Sequence, residues 1–224
     1  MNLPQPSTLT AAIRSRILAI PSWVLMIEVF IGAGWLRAFA QKALSLDWWR
    51  GDTLATFLVE TDEARVPWFH LVTDLVVAPN LALVSAAVAL AQLGVGLALV
   101  TGRFRVPALL AGLVLNVSFV LAGAVTPSAF YLVAQLAVLL WVIESRRSAW
   151  TSALTSILSL GGLALAGSSV LSISSLHPDH VIEDPSMMLV FLGTLTAFVA
   201  ERARRNRASA STPMETSPPP ALVG

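Results

Sequence analysis

The chain has no cysteine among its 224 residues, so it can form no disulfide, thiol relay, thiolate-held iron–sulfur cluster or covalent c-type haem. Charge is scarce as well. Asp, Glu, Lys and Arg make up 12% of the sequence, against 56% hydrophobic residues and a mean hydropathy of +0.76. So little polar surface cannot keep a globule in water, and lipid is the expected solvent. A formal charge of +1, with the basic residues in short flanks and not on a continuous face, argues against a nucleic-acid partner. The three histidines, His70, His177 and His180, fall outside the long apolar blocks, which excludes a haem ligated by histidine within the bilayer.

What the chain has in quantity is apolar runs. A spanning helix needs about 20 such residues, and runs of this kind lie near 18–45, 80–101, 106–126, 128–144, 152–173 and 186–201. They predict an all-α, polytopic membrane bundle with about six transmembrane helices. Basic residues alternate between the gaps. Arg14, Arg16, Arg103, Arg105, Arg146, Arg147, Arg202, Arg204, Arg205 and Arg207 occupy the odd-numbered ones, counting the N-terminal tail as the first. The even gaps hold only Lys42, Arg50 and Arg65, against Asp47, Asp52, Glu60, Asp62, Glu63, Asp74, Asp179, Glu183 and Asp184. By the positive-inside rule both termini are cytoplasmic.

This divides the chain into a cytoplasmic tail (1–17), a four-helix core (18–144), an additional helical hairpin (145–201) and a basic flank with a Ser-, Thr- and Pro-rich, disordered cytoplasmic tail (202–224). Within the core, residues 47–79 are too charged to span and too long for a hairpin. They predict short amphipathic helices on the outer surface or tucked back over the bundle, in the manner of a lid. Thr126, Pro127 and Ser128 mark a tight outer turn. Trp23, Trp141 and Trp150 are expected at the inner interface, and Trp48, Trp49 and Trp68 at the outer one. Ala38, Phe39 and Ala40 imitate a signal-peptide cleavage site, but the apolar run is too long and contains Glu28, so it reads as a retained span. Gly161, Gly162 and Gly167 predict close helix packing in the fifth span. No internal repeat is visible.

Ionisable side chains are costly within a bilayer, which singles out Glu28 and Arg37 in the first span. Nine residues apart, they lie on opposite faces, about 13 Å from each other along the axis. Glu28, Trp35 and Lys42 repeat every seven residues and share a face. Counting depth from the span centres puts Gln92, Asn116 and Gln135 within ~5 Å of the midplane, with Glu28 slightly inward and Tyr131 one turn from Gln135. Such a polar layer has two readings, an interhelical hydrogen-bond clamp or a ligand pocket. For Arg37 the alternatives are a site role and snorkelling to the outer interface. His177 and His180, followed by Glu183 and Asp184, lack the fixed face that a helix gives metal ligands, and no metal site is expected there.

The run QLGVGLALVTGRFRVPALLAGLVLNVSFVLAGAVTPSAFYLVAQLAVLLW, residues 92–141, resembles the DoxX family and its relative, the small DoxD subunit of thiosulfate:quinone oxidoreductase. Upstream, GAGWLRAFAQK and VPWFHLVTDLVVAPN are similar to the family's first-span signature and outer segment, so the resemblance covers residues 23–141. It implies a four-helix core here extended by two spans. It also implies an oxidoreductase component at the quinone pool of a prokaryotic plasma membrane, serving sulfur-compound or oxidative-stress chemistry beside a soluble or membrane redox partner. The chain departs from the family at Gln92, where members commonly carry Glu, at Asn116, Val117, Ser118 and Phe119 in place of Asn-Phe-Asn-Phe, and at Pro127 and Ser128 in place of Asn-Pro. With no redox ligand of its own, the chain is expected to bind quinone directly, in an apolar pocket with few polar groups. Gln92, Asn116, Gln135 and Tyr131 are then the binding groups, Trp35 a wall, Glu28 the catalytic proton relay, and Arg37 and Lys42 further candidates. Two other classes fit the same residues, a non-catalytic anchor or scaffold for a soluble enzyme and a small-solute transporter.

Overall fold

In an apolar solvent a free backbone N–H or C=O has no partner, so an apolar run satisfies its own hydrogen bonds as a helix. The computed structural model describes residues 19–145, 149–173 and 184–211, and no strand occurs among them. The long helices are α1 (Ser22–Ala43), α5 (Leu81–Thr101), α6 (Arg105–Leu121), α7 (Val125–Ser145), α8 (Ala149–Val170) and α9 (Pro185–Ser211). Between α1 and α5 lie three short helices, α2 (Leu46–Arg50), α3 (Asp52–Glu60) and α4 (Phe69–Val72). A π-helical stretch, Thr73–Val77, and a 3-10 turn, Ala78–Asn80, join α4 to α5, so that one apolar helical segment runs Phe69–Thr101.

Five helical segments are long and apolar enough to cross a membrane, and α6 is a shorter apolar helix of 17 residues. Their outward faces carry Phe30, Leu83, Leu90, Val114, Phe130, Leu160 and Phe198, all exposed. The inward faces bury Val24, Ile31, Leu99, Leu109, Leu139, Ile143 and Leu189. Apolar on both sides, these helices suit a surrounding of hydrocarbon.

Glycine sets the closest approaches. α1 meets α5 where Gly32 and Gly96 face each other; a Cβ on Gly96 would lie 2.8 Å from Leu36 Cγ and 3.0 Å from Gly32 O. In the α8–α9 hairpin, Gly162 faces Gly193 in the same manner, whereas Gly161 and Gly167 have open space where a Cβ would be. Of the glycine-rich expectation for the fifth span, only Gly162 packs. α9 carries the hairpin's contacts to α7 and α6.

Two boundaries differ from those read in the sequence. The turn between α6 and α7 falls at residues 122–124, where Gly123 has φ +97°, and Pro127 lies inside the first turn of α7. A first-turn proline lacks only an N–H that would have no helical partner, so it starts a helix there instead of breaking one. At the other end, α9 continues past residue 201 to Ser211, and the basic flank is helical because Glu201 accepts hydrogen bonds from Arg204 (2.8 Å) and Arg205 (2.9 Å) one turn on. The remainder of the C-terminal tail lies outside the described residues, as do residues 1–18.

Residues 46–80 fold back over one end of the bundle. Ser45 caps α2 by accepting from Trp48 N at 3.2 Å, and Trp48 Nε1 donates to Ser85 O at 2.9 Å. Val66 N donates to Leu121 O at 3.1 Å. Gly51 joins α2 to α3 at φ +92°, and a Cβ there would lie 2.6 Å from Leu81 Cβ and 2.8 Å from Ala82 N. Left-handed backbone costs alanine about 1–2 kcal/mol, and crowding against the start of α5 adds about 1–3 kcal/mol. Gly51→Ala is therefore expected to loosen this segment selectively, with trypsin cleavage at Arg50 and Arg65 in reconstituted protein several-fold faster than wild type; an equal rate would contradict this docking.

Candidate functional site

The folded-back segment, here termed the lid, is pinned from within by Arg65. Its buried guanidinium donates to Thr73 Oγ1 at 3.0 Å and to the carbonyl of Leu58, lies 3.4 Å from His70 Nδ1, and pairs with Asp62 at 3.4 Å. Three chain segments are thereby joined by one cation that reads in the sequence only as a stray charge in an acidic gap. Outside it, a cleft of ≈ 750 Å³ carries Glu60, Asp62, Glu63 and Asp74. Among the described residues no group of three or more His, Asp or Glu side chains is arranged to hold a metal ion. His177, His180 and Glu183 lie outside the described residues, and Asp184 serves as the cap of α9, accepting from Ser186 N at 2.7 Å and Met187 N at 3.3 Å.

Beneath the lid is a cavity of ≈ 310 Å³. Leu54, Phe57 and Phe69 of the lid, Val84 and Val88 of α5, and Phe119 and Ala122 at the end of α6 supply its apolar surface. Its polar groups are Lys42, Thr53, Thr73, Gln92 and Ser118, with Trp48 alongside. Thr73 is occupied by Arg65 and by His70 O at 2.9 Å, and Ser118 Oγ donates to Val114 O at 2.9 Å. Lys42 stands 4.6 Å over the Trp48 ring and forms no ion pair among the described residues. Gln92 Oε1 is buried with no hydrogen-bond partner. A buried amide oxygen without a partner is costly. The cavity thus presents one ammonium and one carboxamide, both with bonding capacity to spare, beside the Thr53 hydroxyl on a largely apolar wall.

The expected polar layer does not assemble as one unit. Asn116 Nδ2 donates to Gln135 Oε1 at 3.2 Å, with Gln135 seated against Gly112, and these two form the clamp between α6 and α7. Glu28, 0% exposed, pairs instead with Arg105 at the start of α6: Nη2 donates to Oε2 at 3.2 Å and Nε meets Oε1. Arg105 also covers the Trp141 ring at 5.7 Å. Eleven residues of α6 separate Arg105 from Asn116, about 16 Å along the axis. Glu28 borders neither the lid-covered cavity nor the acidic cleft. Gln92 alone of the four borders the lid-covered cavity.

Trp35, 4% exposed, lies behind the cavity wall, 6.5 Å from Phe119 and 5.8 Å from Tyr131 between ring centroids, and its Nε1 is buried without a partner. Tyr131 sets its hydroxyl against Gly34. Arg37 is exposed on the outer surface of α1. The turn that delivers Arg105 is tight, with Gly102 at φ +72° and Phe104 at φ +52°. Phe104 is the one described non-glycine residue in the left-handed region, a strain of about 1–2 kcal/mol that buries a guanidinium against α1.

These features define an all-helical, multi-pass protein of membrane character, built around a lid-covered cavity at one end and a buried ion pair that ties α1 to α6. Comparison with protein-family models, with curated proteins and with solved structures finds no match.

Proposed function

We propose that the chain is a DoxX-like integral membrane protein that binds quinone under its lid and serves a membrane oxidoreductase system whose partner supplies the electrons. In this reading α6 is a sixth span, about 25 Å long. Arg103, Arg105, Arg202, Arg204 and Arg205 mark the cytoplasmic side of a prokaryotic plasma membrane, both termini lie there, and the lid faces out. The observation that carries the proposal is the unpartnered Gln92 Oε1 in an apolar cavity that also holds the Lys42 ammonium. A quinone ring is flat and apolar with a carbonyl at each end, and its reduced form bears hydroxyls. Lys42 donates to a carbonyl oxygen. The Gln92 amide accepts from a quinol hydroxyl or, turned over, donates to a quinone carbonyl. The chain contributes binding, orientation and exclusion of water, while the redox chemistry belongs to the quinone and the partner.

Trp48 in the wall gives a direct readout. Titration of the purified protein with a short-chain ubiquinone or menaquinone analogue is expected to quench tryptophan fluorescence saturably. Gln92→Leu and Lys42→Met each remove one hydrogen bond to the head group, about 1–1.5 kcal/mol, or roughly a five- to tenfold weaker Kd. Equal affinities in wild type and both variants would overturn the assignment.

A further inference from the structure

A second cavity, of ≈ 390 Å³, opens between α6–α7 and the α8–α9 hairpin. Its walls are hydrocarbon, with Leu113, Val117, Leu136, Leu165 and Leu192 prominent. Only two hydroxyls border it, and both are turned back on their own helices: Ser118 Oγ donates to Val114 O at 2.9 Å, and Thr196 Oγ1 to Leu192 O at 2.6 Å. Such a space offers nothing to water or to a polar ligand and accepts an alkyl chain. Gly161 borders it with open space where a Cβ would stand, and Gly162 and Gly193 set the close approach of α8 and α9 at its edge.

The two cavities share a residue. Ser118 borders both, and its chain neighbours divide between them, Val117 toward the apolar space and Phe119 toward the lid. One stretch of α6 therefore passes from the polar end of one cavity to the hydrocarbon of the other. From this continuity we infer a single bipartite site for an isoprenoid-tailed redox lipid, its ring between Lys42 and Gln92 and its tail laid across Ser118 into the space beside the α8–α9 hairpin. The inference rests on the quinone reading above and adds the tail to it. At about 30 Å³ for each water-sized group, the second cavity holds about a dozen carbons, or two to three isoprene units. The hairpin outside the four-helix core thus serves as the far wall of the tail groove.

Gly161→Leu tests this without disturbing the fold, because Gly161 lines the groove and a Cβ there meets nothing within 4 Å. The full chain in detergent is titrated, by tryptophan quenching, with ubiquinones carrying one and three isoprene units. Because wild type and variant face the same micelle, unspecific partitioning of the longer tail cancels in their ratio. Gly161→Leu is expected to weaken the three-unit ligand at least fivefold and to leave the one-unit ligand within twofold. Gln92→Leu is expected to weaken both. If Gly161→Leu changes neither ligand, or both equally, the tail path is wrong, while the Gln92→Leu result still reports separately on the head-group cavity. If added dioleoyl phosphatidylcholine abolishes the wild-type preference for the longer tail, the groove belongs to a phospholipid acyl chain and the bipartite site is overturned.

Discussion

Arg105→Met is expected to destabilise the protein by about 3–5 kcal/mol, because it leaves the Glu28 carboxylate buried with its principal cationic partner gone. Glu28 is 0% exposed, and the Arg105 side chain retains 15% exposure and a position over Trp141. Removing the acid is therefore less harmful than removing the base. In Glu28→Gln the guanidinium swings toward the interface and keeps the indole, at a cost of about 1–3 kcal/mol. The double variant Glu28→Met, Arg105→Met replaces two charges by two apolar side chains of similar length and should recover most of the loss. Unfolding of the four proteins in mixed micelles gives the double-mutant cycle directly. Additive effects would show that the pair is incidental; strong coupling would show that it holds α1 to the α5–α6 turn.

The second large effect is expected at Gly162→Leu. A Cβ there lies 2.5 Å from Gly193 O and 3.0 Å from Ala197 N, both backbone atoms that cannot rotate aside. The two helices must separate, forfeiting the close packing that holds helices together where lipid supplies no hydrophobic drive. Overpacking of this kind costs about 1–3 kcal/mol at a single site, and here it propagates along α8 and α9. A melting temperature several degrees lower is expected, with Gly167→Leu, whose Cβ meets open space, as the control that melts like wild type. Equal melting of the two variants would exclude the Gly162–Gly193 contact as the hairpin's fastening.

Periodicity and hydropathy locate the long helices to within a few residues except at the C-terminal ends of α6 and α9, because apolar character dominates each run but does not mark where a helix stops. The placement of polar side chains is much less legible. Depth counted from span centres treats helices as parallel rods with aligned midpoints. Depth alone does not say which faces meet: Gln92 on α5 borders the lid-covered cavity, while Asn116 on α6 turns to Gln135 on α7. Glu28 and Arg105 are 77 residues apart, and no spacing rule links them; Arg105 reads in sequence as one more cytoplasmic arginine. Gly161, Gly162 and Gly167 carry the same signal until the partner helix fixes which face is inward. Arg65 is hidden for a different reason. Its partners, Leu58, His70 and Thr73, come from α3, α4 and the π-helical stretch, and no period says how such short pieces fold back on one another. The Glu28, Trp35 and Lys42 heptad, by contrast, is readable, since it asks only that one helix be regular.

The apolar helical segment Phe69–Thr101 changes character along its length, from the π-helical stretch Thr73–Val77 through the turn Ala78–Asn80, where Asn80 has φ −128°, to the regular α5. Its 33 residues extend about 50 Å, well beyond the ~30 Å of a hydrocarbon core. The segment is longer than one crossing needs, and its N-terminal part, Phe69–Asn80, belongs to the lid. A cover hinged on a flexible strand would flap independently of what lies below. This one runs on through the turn at Ala78–Asn80 into α5, so Phe69 over the cavity and Val84 and Val88 in its wall belong to one continuous stretch of helical chain.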